Sequence, residues 1–168
     1  MPNTFTLIAS STVGAGGASS IDFTSIPSTY TDLVLYTSLR SEGTSTIAAL
    51  IRFNDSTSSY NERELYGNGS TVSSSPDTNN YGGYAVSTAK TANTFSNSVI
   101  YIPNYAGSTN KSSSLDSVTE NNATASDASL MANLWSNTAA ITKISLVKNG
   151  TNNFAQYSTA YLYGVKNA

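Results

Sequence analysis

Apolar side chains recur in this chain at every second residue, and a polypeptide with that period has to be built from half-buried strands. In Asp32–Arg40, Leu33, Leu35, Thr37 and Leu39 share one face and Val34, Tyr36 and Ser38 the other. Ile47, Ala49, Ile51 and Phe53 alternate with Ala48, Leu50 and Arg52. Leu130, Ala132 and Leu134 alternate with Met131, Asn133 and Trp135, and near the end Tyr157, Thr159, Tyr161 and Tyr163 oppose Ser158, Ala160 and Leu162. A helical period of 3.6 is found far less often.

Further strands are expected at Phe5–Thr12, Ser19–Phe23, Arg63–Gly67, Tyr84–Thr88, Val99–Pro103, Ser113–Thr119 and Thr142–Val147. Turn formers separate them: Gly14–Gly17, Asn68–Gly69, Gly82–Gly83, Asn104–Asn110 and Asn149–Asn153. Both residues of Asn149-Gly150 tolerate positive φ, which suits a tight turn. Glu120–Trp135 is rich in Ala, but its Asn and Ser/Thr content favours a loop followed by a strand over a helix. Many short strands punctuated this regularly predict an all-β chain, an antiparallel two-sheet β-sandwich. A jelly roll of eight or more strands, formed as a single domain over residues 1–168, is the specific expectation.

The chain carries 8 basic and 10 acidic residues, a net charge of −2, and no Cys. With no basic tract there is little to neutralise phosphates, so nucleic acid is not an expected partner. No apolar run reaches the roughly 20 residues of a membrane helix, and the opening MPNTFTLIASSTV lacks the basic and apolar segments of a secretion leader. Without Cys there are no disulfides, which fits folding in a cytoplasm. The 11 Tyr and 5 Phe supply a core that disordered chains lack.

Catalysis is the weaker expectation. Histidine is absent, which removes the commonest general base, and a metal site would have to use oxygen ligands alone. Glu62 and Glu64 share one side of a strand at a spacing loosely compatible with glycoside chemistry, but solvent-facing carboxylates flanking Arg63 are the favoured reading. Asp116, Glu120 and Asp127 offer hard oxygens for calcium, yet no calcium-loop spacing accompanies them, and a solvated loop is favoured. Asn-X-Ser/Thr triplets such as that at Asn110 are frequent by chance in so much Asn, Ser and Thr, and no function is assigned to them. Tyr81, Tyr84, Tyr101, Tyr105 and Trp135 suit a sugar platform, but core or interface packing is the commoner use of aromatics in a sandwich. No enzymatic activity and no cofactor are expected. With 5 Lys and 4 Pro for some ten strands, edge strands have few of the usual guards, which points to edges covered by a partner.

Several blocks carry a resemblance. IASSTVGAGGASSIDFTSIPSTYTDL (Ile8–Leu33), IRFNDSTSSYNERELYGNGS (Ile51–Ser70), IYIPNYAGSTNKS (Ile100–Ser112), ENNATAS (Glu120–Ser126), LWSNTAAITKISL (Leu134–Leu146) and FAQYSTAYLYGVK (Phe154–Lys166) resemble short β-rich virion structural proteins of tailed bacteriophages, of the marine and cyanobacterial phage type. The likeness runs nearly end to end and is most specific in IYIPNYAGSTNK and LWSNTAAIT. It implies a phage structural protein located in the virion. The expected role is a capsid decoration or cement protein bound to the major capsid protein or other virion proteins, as a homo-oligomer for which particle symmetry suggests a trimer. The alternative is a tail-fibre or receptor-binding module recognising host surface glycans. Tyr81, Tyr84, Tyr105 and Asn110, at or beside loops, are the expected partner-binding residues.

Overall fold

A computed structural model describes residues 4–122 and 124–166. Twelve strands follow one another: β1 (Phe5–Thr12), β2 (Ser20–Phe23), β3 (Asp32–Ser38), β4 (Ile47–Phe53), β5 (Tyr60–Gly67), β6 (Val72–Asp77), β7 (Tyr81–Ala85), β8 (Asn97–Ile102), β9 (Lys111–Glu120), β10 (Ser126–Trp135), β11 (Ile144–Lys148) and β12 (Thr159–Val165). They form an eight-stranded sheet, β1-β12-β3-β8-β9-β10-β5-β6, and a four-stranded sheet, β2-β11-β4-β7. Every pairing within them is antiparallel.

The order has a simple logic. Set aside β5, β6, β9 and β10, and each remaining strand passes to the opposite sheet from the one before, except β7, which pairs with β4 in the same sheet, leaving β1-β12-β3-β8 over β2-β11-β4-β7. That winding is the jelly roll. The four other strands are two hairpins, one inserted between β4 and β7 and the other between β8 and β11. They interleave, β10 pairing with β5, and widen one sheet to twice the width of the other.

The core lies between the sheets, where Leu33, Leu35, Ile51, Phe53, Ile100, Ile102, Ile144, Leu146, Phe154 and Leu162 are buried. Trp135 closes one end, stacked on Tyr60 with ring centres 6.2 Å apart and tilted against Phe53 at 5.7 Å. The sheet margins are guarded after all. β2 has four residues, β6 carries Pro76 and Asp77, and β1 shifts register between Leu7 and Ala9. These are devices that blunt edge pairing at three of the four sheet margins.

Three further expectations change. β6 was not anticipated, because VSSSPD has no apolar alternation; as an outermost strand it buries little and tolerates a proline. The strand expected at Tyr84–Thr88 begins at Tyr81, so Gly82 and Gly83 sit within it and not in a turn. A Cβ on Gly82 would stand 2.8 Å from Leu146 Cδ2, and one on Gly83, whose φ is +102°, 2.2 Å from Ser98 Oγ. Close approach of β7 to its neighbours is what requires glycine there. Tyr105, expected at an exposed loop tip, is fully buried, and its hydroxyl donates to the Pro27 carbonyl.

The loop that precedes β9 is tied down from beneath. Asp32 accepts the Asn104 amide and the Tyr101 hydroxyl, both at 2.8 Å. Lys111 is buried and its ammonium donates to the carbonyls of Gly107 at 2.7 Å, Thr109, and Thr138 at 3.4 Å. Burial lowers its pKa, and the carbonyls stand in for a counter-ion. Lys111→Met keeps the stem but strands those acceptors, so a loss of about 2 kcal/mol is expected in equilibrium denaturation. An unchanged midpoint would show that water replaces the ammonium freely.

Candidate functional site

Two surfaces stand out, both created by the inserted hairpins. The first is the outward face of the eight-stranded sheet. Registered pairing carries one row of side chains straight across it: Leu65, Leu130, Asp116, Val99, Tyr36 and Tyr161. Leu65 and Leu130 are 54% and 59% exposed, and Leu134, Tyr101 and Leu7 lie exposed alongside the row. Asp116 is the one charge in it. The small sheet's outward side is different. There Lys143 pairs with Asp55 at 2.7 Å and Asp22 at 3.9 Å beside Arg52 and Lys148. The large sheet's outward face also holds Arg63, in register with Ala132, but its central row is mostly apolar, whereas the small sheet's side gathers ion-paired charges.

The second is a groove on the inward side. The four-stranded sheet is too narrow to cover the widened one, and its last strand, β7, lies against β9. Beyond β7 the inward residues of β5, β9 and β10 meet no apolar layer, and they are polar. A cavity of about 390 Å³ results. Two carboxylates, Glu64 and Asp127, and two tyrosines, Tyr66 and Tyr84, line it. Its other lining side chains are the hydroxyls of Thr46, Ser73, Ser117, Thr119 and Ser129.

Each carboxylate in the groove is oriented by a tyrosine. The Tyr84 hydroxyl donates to Glu64 Oε1 at 2.8 Å, and burial together with that carboxylate raises its pKa well above normal. Tyr66 bonds Asp127, its pKa likewise raised, first by burial and then by the carboxylate. Thr119 Oγ1 donates to Asp127 Oδ2 at 3.3 Å, and Ser117 Oγ accepts the Tyr84 amide at 3.4 Å.

Glu62 behaves otherwise. Expected to face solvent, it is wholly buried beneath β7, where its Oε2 accepts the Tyr81 amide. Desolvation, with added repulsion from Asp77 and Glu64, pushes its pKa up to about 7. Its Oε1 has no donor among the described residues, and neither does Oδ1 of Asn133, its partner across the β5–β10 ladder. Both acceptors lack a donor on residues paired across the ladder, and a protonated Glu62 carries one. Enclosed this way, Glu62 does not share a substrate-facing surface with Glu64, as a glycosidase pair would have to.

No family model, curated protein or solved structure matches the chain.

The named residues scatter. Tyr81 and Tyr84 are half-buried neighbours, rings 6.2 Å apart, packed against the core; Tyr81 bonds Asp77 Oδ2 at 2.8 Å. Asn110 is exposed on the far side of β9's start, and Tyr105 is interior. Trp135 is core and no sugar platform. Asp116 and Asp127 project from opposite faces of the sheet, and among the described residues no three acidic groups gather as a metal site would need. Sequence reasoning missed Ser117, Thr119 and Ser129. Their only signal was hydroxyls at alternate positions on adjacent strands, where a core strand would carry Val or Ile.

Proposed function

We propose that this chain is a structural protein of a bacteriophage particle, a capsid decoration or cement protein that lies on the outer head. The broad, nearly uncharged outward face of its eight-stranded sheet sits against the major capsid lattice. The observation that carries this reading is the in-register row from Leu65 to Tyr161, exposed on the outward face of the large sheet with Asp116 its one charge. Contiguous exposed apolar surface is characteristic of sites that meet another macromolecule. The resemblance to phage virion proteins supplies the particle. Modest contacts repeated over a lattice add to strong retention, and copies grouped as trimers at three-fold positions satisfy the particle's symmetry.

Antibody labelling of intact particles tests it directly. Label in many copies over the head is the expected result; label confined to tail fibres overturns the decoration role in favour of receptor binding. Leu130→Lys places a charge in the middle of the row. It is expected to abolish retention on purified particles while changing stability by no more than about 0.5 kcal/mol. Undiminished retention would remove this face from the interface.

A further inference from the structure

We propose that the groove between β7 and the inserted hairpins is a binding site for a neutral sugar, a function beyond any role in the shell. A carboxylate pair alone would not carry this. Ser129 does: it is 3% exposed, it lines the groove, and its hydroxyl has no hydrogen-bond partner among the described residues. Unlike the sealed hydroxyls of Thr37 and Ser113, its Oγ keeps contact with solvent, and it does so from a residue that is otherwise buried. Here the only open direction is the groove itself, so the missing partner is a ligand or the water it displaces.

The lining selects the class. No lysine or arginine reaches the cavity, and Glu64 and Asp127 make it negative, which disfavours phosphate, sulfate and carboxylate ligands. Hydroxyls outnumber charges, and each both donates and accepts. An alkylammonium offers donors only, so it would leave the donor capacity of Ser73, Thr46 and Ser129 unused. A pyranose offers O–H groups that donate to carboxylates and accept from serines at once.

Glu64 suits that task, since Tyr84 takes Oε1 and Oε2 meets no donor among the described residues. The Tyr66 and Tyr84 rings supply the apolar surface on which a sugar face rests. The volume of about 390 Å³ lies near the small end of ligand pockets, roughly 300–1,000 Å³, as a ligand of one or two rings requires.

Saturation-transfer NMR on the full chain provides the test. The probes are methyl α-glucoside, methyl α-mannoside, methyl β-galactoside, N-acetylglucosamine and rhamnose, with butylammonium as the cationic rival. At least one neutral sugar is expected to bind, with a Kd on the order of millimolar. Ser129→Ala and Glu64→Gln should each weaken it about tenfold, the loss of one well-placed hydrogen bond. Asp116→Asn, on the opposite face, should leave it unchanged. If Glu64→Gln lowers the melting temperature, Ser129→Ala decides alone. Three results each overturn the site: no sugar binds, sugars bind equally to Ser129→Ala, or butylammonium binds where sugars do not. None of these bears on where the chain sits in the particle, so the two proposals fail separately.

Discussion

Raising the pH from 5 to 8 is expected to destabilise the fold by on the order of 2–3 kcal/mol through Glu62 alone. In the folded chain its pKa is pushed up to about 7 from an ordinary 4.5. Between those values the folded state holds a proton that the unfolded state has released, so stability falls as pH rises and the loss is complete once pH exceeds about 7. Below 4.5 both states are protonated and the dependence vanishes. Above 7 a buried carboxylate stands on the residue opposite Asn133, with Asp77 on β6, Glu64 on its own strand and the Tyr81 hydroxyl on β7 as titratable neighbours.

Two carboxylates with the opposite shift mark the acid limit. Burial opposes ionisation of Asp22 and Asp77, but hydrogen bonds from Ser145 and Ser20 to the first, and from Tyr81 and the Thr78 and Asn79 amides to the second, bring both below normal. Their stabilisation is lost only below about pH 4, so measurements from pH 5 upward isolate Glu62. Glu62→Gln removes the titration, carries a donor on the strand residue opposite Asn133 and keeps the acceptor for Tyr81. It should abolish the slope and exceed the wild type in stability at pH 8. Equal slopes in urea denaturation of the two proteins between pH 5 and 8 would sink the assignment.

Trp135→Ala is expected to cost about 3–5 kcal/mol, the upper range for truncating a buried aromatic. The indole is 2% exposed, packs between Phe53 and Tyr60, and donates from Nε1 to Ser56 Oγ at 3.3 Å. Its removal opens a void at the junction of β4, β5 and β10, where the inserted hairpins join the jelly roll. Against a total stability of about 5–15 kcal/mol this is a large share, so the variant should unfold at a much lower denaturant concentration, followed by circular dichroism because the only tryptophan is gone. A loss below about 1 kcal/mol would mean that the indole is free, as a sugar platform would be.

Period-two alternation located most strands to within two residues because each buries one face, and burial of alternate residues leaves its mark on composition. The β1 range, the end of β8 just before Pro103 and the opening of β3 at Asp32 all read directly from the chain. Where burial is slight, as in β6, there was no pattern to read. Alternation also does not say which face is inside. In β10 the sets Leu130/Leu134 and Met131/Trp135 are equally apolar, and the structure turns the leucines outward. In β12 it buries Ala160 and Leu162 while Tyr161 faces out.

The amino-acid sequence by itself determined that this chain is all-β, antiparallel and sandwiched, since that follows from local period and turn chemistry. Tertiary structure alone decided which strands the inserted hairpins join, and so which surfaces function can use. A groove whose walls come from β5, β7, β9 and β10 depends on pairings between residues up to 75 positions apart, such as Tyr60 opposite Trp135. Those pairings are chosen by how the whole set of faces packs, and no local stretch of residues encodes that choice.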